Sequence, residues 1–501
     1  MIHQMTIIAV FSFLALFSAD AIAAPFDVRR HLSTVTRYDA STDTSNLVSF
    51  SSAIPNACQP IHLNLVARHG TRSPTKKRIK ELDRLTTRLA TLVEEANRDG
   101  TSDAPSIPGW IQGWESPWKG RVKGGELINL GEEELYRLAL RVRDRFPEIF
   151  SKDYHPDLYP IKATQVPRAA ASAVAFGTGL FSGKGTLGPG QHRAFSVVSE
   201  SRASDILLRF YDTCATYKDY RESHEPQVEK LKEPVLEEIT SALISRHRLN
   251  FKRQDVASLW FLCKQEASLL DITNQACGLF NETEIHLLEW TDDLEVFLLK
   301  GYGKSINYWM GVPLLQDMFQ TMQEAIQANE ENQPGGMYER ARLRFAHAET
   351  IVPFSCLLGL FLEGDEYERI QRSESLDLPP KPPQDRNWRG SSIAPFAGNN
   401  MLVLYQCRDK QDQNSSYHVQ VLHNEVPVTL PACGTDFCPF EVFKDRVVLP
   451  LLKHEFNSIC DAKSVVRDVE VPKPCSWSCK FSNFLSGIFS SAQSQRENSE
   501  L

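Results

Sequence analysis

The stretch Val66-Ala67-Arg68-His69-Gly70-Thr71-Arg72-Ser73-Pro74-Thr75 sets an imidazole between two guanidiniums, beside a glycine. The chemistry such a set offers is phosphate handling. Planar guanidinium forks match phosphate oxygens, and a neutral histidine nitrogen is a nucleophile toward phosphorus. An apolar run, Ile61 to Ala67, precedes the motif and reads as a buried strand, while a basic helical pattern starts after Pro74. Gly70 is expected to let the backbone come close to a ligand. The N-terminus of the following helix offers free N–H groups and a positive dipole end to an anion. For Arg-His-Gly alone, a basic turn with a solvated histidine is the competing reading. The longer pattern R-H-G-x-R-x-P arises by chance in roughly one chain of this size in several thousand, which favours a site.

Two further stretches carry matching chemistry: Phe345-Ala346-His347-Ala348-Glu349-Thr350, and Arg168 at the end of K-A-T-Q-V-P-R. With these in view, R-H-G-T-R-S-P resembles the signature of the histidine acid phosphatases. Most of that family closes its second motif with His-Asp; here the acid is Glu349, two residues after the histidine. The H-A-E form is similar to the multiple inositol-polyphosphate phosphatase branch, which removes phosphates from phytate and related compounds. The resemblance runs from about Cys58 to Cys460. It implies an α/β, phosphoglycerate-mutase-like core with a mostly parallel sheet flanked by helices, and a mostly helical inserted domain. It also implies a reaction that needs no metal and no other cofactor. His69 would form a phosphohistidine, and Glu349 would protonate the leaving inositol oxygen and then deprotonate the hydrolytic water. Arg68, Arg72, Arg168 and His347 would surround the phosphoryl group. Thr75, Lys76, Lys77 and Lys304 would lie near the substrate. The change from His-Asp to H-A-E alters the reach and angle of the acid. Each residue has a plainer role open to it: His347 hydrogen-bonded without chemistry, Glu349 a carboxylate favourable to a helix N-terminus, Arg168 and the lysines solvated cations.

The elements that would position these residues follow from periodicity. Ile79, Leu82, Leu85, Leu89, Leu92 and Val93 recur at helical spacing. Thr101 to Gly125 is rich in Gly, Pro and Trp and reads as a loop with aromatic anchors. Helical spacing resumes from Leu130 to Phe146. Leu158–Ala163 and Ala194–Ser199 read as strands around a helix of small residues, Ala169 to Phe181. From Asp205 to Asn329 helical patterns dominate. Leu343 to Ala346 is a strand that delivers His347 and Glu349, followed by a helix over Pro353–Leu362. Glu363–Ser392 reads as an exposed loop, Met401–Cys407 and Tyr417–Leu422 as paired strands, and Phe440–Cys460 as a last helix. The expected organisation is an arm at 25–57 and a core at 58–204 and 335–465, with a helical and loop insertion near 83–150. A mostly helical domain at 205–334 and a disordered tail at 466–501 complete it. The arm is polar, without a clear period, and reads as loosely held.

The chain has 501 residues, 42% hydrophobic and 24% charged, with a net charge of −8. This acidic balance argues against a nucleic-acid partner. A polyanionic small molecule, the expected partner, must be gathered by the local cluster of Arg68, Arg72, Lys76, Lys77, Arg78 and Lys80. Ile7–Phe17 is apolar and is followed by small residues up to Ala24, as in a secretory signal peptide over 1–24. The run is short of the ~20 residues of a membrane span, and no stable anchor is expected. Eleven cysteines fit an oxidising compartment: secreted, vacuolar or the ER lumen. Cys263 with Cys277 and Cys433 with Cys438 are spaced for local bridges. The resemblance implies Cys58 with Cys407 and Cys214 with Cys460, and Cys475 with Cys479 is a further pair. Cys356 is the candidate for a buried free thiol; zinc spacing is lacking. Asn281 and Asn414 lie in glycosylation sequons.

The reading is therefore a phosphomonoesterase for inositol polyphosphates, and the resemblance extends it to bisphosphoglycerate. The rivals are a general secreted acid phosphatase and a non-catalytic polyanion-binding protein of the same fold.

Overall fold

The computed structural model describes residues 25–42, 54–55, 57–98, 107–331, 338–408 and 415–461. Its centre is β1 (Cys58–Arg68), which sits between β3 (Ala341–Ala346) and β4 (Asn399–Arg408). The sheet order is β2-β3-β1-β4-β5-β6, with β2 at Ile161–Ala163, β5 at Ser415–His423 and β6 at Val426–Pro427; β7 (Phe437–Pro439) pairs with β5. β2, β3 and β1 are parallel, whereas β4 to β7 join antiparallel. The sheet is mixed, not mostly parallel as expected: the direction of a strand leaves no trace in its composition.

The strand pleat sorts the core. Leu63, Leu65 and Ala67 pack with α2 (Asn129–Arg145) and α3 (Pro167–Leu180) on one face. Val66 packs on the other face with α7 (Val312–Glu330) and α8 (Ala348–Leu357). On that face Asn64 donates to the Met318 carbonyl (3.2 Å), and the buried Arg344 donates to Asn64 Oδ1 (2.9 Å) and pairs with Asp317. Polar groups so deep persist because each is hydrogen-bonded. A second layer of helices comprises α1 (Lys76–Arg98), α4 (Ala215–His247), α5 (Arg253–Gln265) and α6 (Glu282–Lys300). Ile79, Leu82, Leu85, Leu89 and Leu92 on α1 are buried against α4 and α5, as their spacing predicted. So α1 packs with the helical segment, while α2 packs on the sheet.

Several boundaries differ from the sequence reading. Residues 25–42 are not loosely held: Val28, Leu32, Ser33, Thr36 and Tyr38 are buried. Ala194–Ser199 contributes only a single bridge, Val198 with Lys162. α8 begins at Ala348, five residues before Pro353, with His347 at its N-cap. The expected last helix runs from Phe440 to Leu452 with a wider turn over Lys444–Val448, and breaks before the short helix Phe456–Cys460. Glu363–Ser392 is not all exposed, since Trp388, Gly390 and Ser391 are buried. Disulfides join Cys58–Cys407, Cys214–Cys460, Cys263–Cys277 and Cys433–Cys438, and Cys356 is free and buried. Among the described residues no helix is long and apolar enough to cross a membrane. Residues 1–24, Asn414, Cys475, Cys479 and the tail beyond 461 lie outside the described residues.

Candidate active site

Three parallel strands end side by side, and each hands a polar residue to the same rim. β2 is followed by Thr164, β3 by His347 and β1 by His69, locked by backbone bonds from His69 N to the Ala346 carbonyl (3.0 Å) and from Thr164 N to the Phe345 carbonyl (3.0 Å). Ligand crevices in α/β sheets form at such carboxyl ends. The His69 and His347 rings lie edge to face with centroids 5.4 Å apart.

The turn after β1 is shaped by close backbone approach. A Cβ at Gly70 would lie 2.2 Å from the Gly131 carbonyl oxygen, and one at Gly131 would lie 2.2 Å from that of Thr71. Gly70 is thus needed for contact with the first turn of α2. Gly70 N donates to Ser172 Oγ on α3 (3.1 Å), while Thr71 donates to Glu134 from its backbone (2.7 Å) and hydroxyl (2.8 Å). These bonds hold the loop from both sides.

His69 Nδ1 lies 2.8 Å from the Gly70 carbonyl. A carbonyl only accepts, so Nδ1 carries the proton and Nε2 keeps its lone pair. Burial first, then the Arg168, Arg68 and Arg72 guanidiniums, push the imidazole well below its ordinary pKa; the ring is neutral. His347 is likewise held neutral, by burial and by Arg168 and Arg209. Its Nε2 is 2.9 Å from Thr164 Oγ1 and 3.3 Å from Arg209 Nη1, and its Nδ1 is 3.4 Å from Arg168 Nη2.

The guanidiniums are the site's dominant charge. Arg68 is 5% exposed, and burial with neighbouring Arg72 lowers its pKa to about 9; burial and Arg168 bring Arg72 to about 10. Arg168 sits in the first turn of α3, and its pKa too is lowered, by burial. The buried Nε atoms of Arg68, Arg72, Arg168 and Arg209 have no hydrogen-bond partner among the described residues. Buried unpaired donors are costly, so four together mark a place for an anion.

Glu349, in the first turn of α8, is half-buried and accepts from Lys300 Nζ at 2.9 Å. Burial would raise its pKa, but the Lys300 ammonium, by charge and by hydrogen bond, outweighs burial and holds it well below the usual carboxylate range. Its charge also raises the pKa of Arg68, Arg72, Arg168 and His347. The structure thus gathers His69, Arg68, Arg72, Arg168, His347 and Glu349 at one rim. Thr75 is near, its methyl 3.8 Å from where a Gly125 Cβ would stand. Lys76, Lys77 and Lys304 are exposed. Asn281 is exposed too, and its side chain caps α6 by accepting from Glu284 N (2.9 Å).

Sequence reasoning missed Arg209, Thr164, Ser172, Glu134 and Lys300. Thr164 directly follows a stretch that reads as a strand, but only the structure shows that this strand runs parallel to the two motif strands. Lys300 ends a helix four residues before Lys304. Arg209 had no signal, lying in a segment that reads as helix.

The model of the histidine phosphatase superfamily (branch 2) matches residues 61–424, and the chain belongs to that superfamily. Multiple inositol polyphosphate phosphatase 1 of Gallus gallus is 28% identical over 424 residues, which cover 83% of this chain and 87% of that protein. The solved phytase from D. castellii superposes with a TM-score of 0.64 at 16% identity, covering 89% of this chain and 92% of that one. The Bifidobacterium longum multiple inositol polyphosphate phosphatase, in complex with inositol hexasulfate, gives 0.61 at 17% identity over 84% and 98%. Both superpositions speak for the fold.

Proposed function

We propose that the protein removes phosphates from inositol polyphosphates, phytate included, through a phosphohistidine on His69. The observation that carries this reading is a neutral, tautomer-fixed imidazole flanked by Arg68, Arg72 and Arg168, with Arg209 against the neighbouring His347 and buried, unpaired donors on all four among the described residues. The activity named for the Gallus gallus relative and the hexasulfate bound by the Bifidobacterium longum protein support a multiply charged inositol as substrate.

The chemistry runs as follows. Arg68, Arg72, Arg168 and Arg209 neutralise the non-bridging oxygens of one phosphoryl group, the main demand of phosphoryl transfer. His69 Nε2 forms a bond to phosphorus as the ester P–O bond breaks. Glu349, protonated in the substrate complex, gives its proton to the departing inositol oxygen. A water then attacks phosphorus, its proton passes to the Glu349 carboxylate, the P–N bond breaks and inorganic phosphate leaves. Thr75, Lys76, Lys77 and Lys304 meet the outer phosphates of the same substrate. Because Glu349 is held low and His69 stays neutral to low pH, their productive overlap lies on the acid side of neutrality. The leader-like residues 1–24, the disulfides and the sequons at Asn281 and Asn414 support passage through the secretory pathway, as a glycoprotein, to the exterior, a vacuole or the ER lumen.

The test is rapid quenching in alkali after mixing with radiolabelled phytate. Label on the protein, acid-labile and absent in His69→Ala, is the expected result. Turnover retained by His69→Ala without labelled protein would count against the reading.

A further inference from the structure

Arg68 is aimed by the backbone of two segments far from it in sequence. Its Nη1 donates to the carbonyl of Thr34 and, at 2.7 Å, to that of Ala394, while its guanidinium lies 4.4 Å over the Phe396 ring. Thr34 belongs to the short turn Ser33–Val35, and Ala394 follows the turn Gly390–Ile393. The separation of these two turns therefore sets where the remaining Arg68 donors point.

The turns meet most closely where Gly390 faces Ser33. A Cβ added to Gly390 would stand 2.3 Å from Ser33 Oγ and 3.1 Å from both Asp293 Oδ1 and Thr34 N. Asp293, on α6 and 0% exposed, grips both turns with one oxygen: Oδ1 accepts from Ser33 Oγ (2.9 Å) and from Gly390 N (2.8 Å). Its Oδ2 accepts from Arg386 (2.7 Å). One turn earlier on α6, the equally buried Glu289 repeats the arrangement. It accepts from Ser391 Oγ (2.9 Å) and Arg389 Nη2 (3.0 Å), and its Oε2 lies 3.1 Å from His31 Nδ1.

Metal binding does not explain this cluster. His31, His286 and Glu289 bring ligand atoms within 4.8 Å of one another. Arg389 Nη2, however, lies 2.8 Å from His31 Nδ1 and 3.0 Å from both Glu289 oxygens, and so takes the cation's place. Two buried carboxylates matched by two arginines make a costly way to gain stability alone, but a good way to fix a geometry.

We propose that Asp293 and Ser33 are positioning residues for Arg68, clamping the turns whose carbonyls aim it at phosphate. The inference rests on the phosphatase reading. It extends the site to residues 31–36, which the catalytic motifs do not reach.

Ser33 allows a clean test. Its φ is +49°, a conformation glycine adopts freely, so Ser33→Gly deletes the hydroxyl without backbone strain, and Ser33→Ala deletes it without added freedom. In the full chain, the competitive inhibition constant for inorganic phosphate is measured together with the melting temperature. Both variants should weaken phosphate about tenfold, with melting within a few degrees of the parent. In an Arg68→Ala background, Ser33→Gly should weaken phosphate no further, because its effect passes through Arg68. Unchanged phosphate affinity in both variants, a further loss in the Arg68→Ala background, or a weakening that appears only with a large drop in melting temperature overturns the proposal. Failure of the parent protein to bind phosphate or release it from phytate would instead overturn the phosphatase reading itself.

Discussion

In the free enzyme Glu349 is an ion pair with Lys300, so the group assigned to give a proton begins without one. Substrate resolves this. A phosphate dianion competes for the Lys300 ammonium and adds negative charge beside the carboxylate, and both effects raise its pKa. Lys300 therefore tunes the acid as well as attracting the substrate. The sign of its effect is fixed: removing the cation raises the Glu349 pKa, so the protonated donor survives to higher pH. Lys300→Met should move the alkaline limb of the kcat/KM profile upward by roughly one pH unit, even as the rate at the optimum falls. An alkaline limb that stays in place would separate Glu349 from the donor role. The motif residues His69, Arg68 and Arg72 were legible because their spacing is rare in unrelated sequence. Lys300 was not, since its partner lies 49 residues away and only packing brings them together.

At the scale of elements, α8 shows how a local signal misleads. Pro353 marked the expected helix start, because proline sits well in a first turn. The helix instead begins at the β3 exit, with His347 at the N-cap position, and Pro353, lacking an N–H, cannot donate to the Glu349 carbonyl. Placing Glu349 in the first turn aims it at the rim. The irregular turn Glu266–Leu270, which prolongs α5, carries a different consequence. Glu266 is 1% exposed, its carboxylate takes one bond, from Ala276 N (3.0 Å), and burial raises its pKa from 4.5 to about 7. A carboxyl raised on folding binds its proton more tightly in the native state. Stability is then full below pH 4.5 and declines as pH rises through 7, by on the order of 3 kcal/mol from this group. Melting temperature should fall between pH 5 and pH 7.5, and Glu266→Gln should flatten that fall. A variant with the parent's pH dependence would show that this carboxyl is not responsible.

The whole molecule is a sheet braced by covalent ties between distant segments. Cys58–Cys407 joins the outer ends of the paired strands β1 and β4, its cysteines 349 positions apart in sequence. Cys214–Cys460 ties the end of the described chain to the start of α4. Closing so long a loop restricts the unfolded chain most. Replacing Cys58 and Cys407 together by alanine should cost about 2–4 kcal/mol in denaturant unfolding, yet leave kcat near the parent's at 25 °C, because the ladder still sets the register at the site. An unfolding midpoint unchanged by the double substitution would contradict this. The segment 25–42 belongs to this scale too. It was read as loose because it lacks a hydrophobic period, yet backbone and hydroxyl bonds of the kind Thr34 and Ser33 make hold it.

By itself the sequence singled out His69, the arginines Arg68, Arg72 and Arg168, the second motif and the alternation of strands and helices. Each of these is written in residue type at short spacing, which local chemistry constrains directly. Only the tertiary structure decided that the sheet is mixed, that Gly70 serves contact with Gly131, that Arg209 joins the site and that Lys300 governs Glu349. Strand direction, backbone approach and pairing across tens to hundreds of residues depend on how the chain closes on itself, and no local window of sequence contains that.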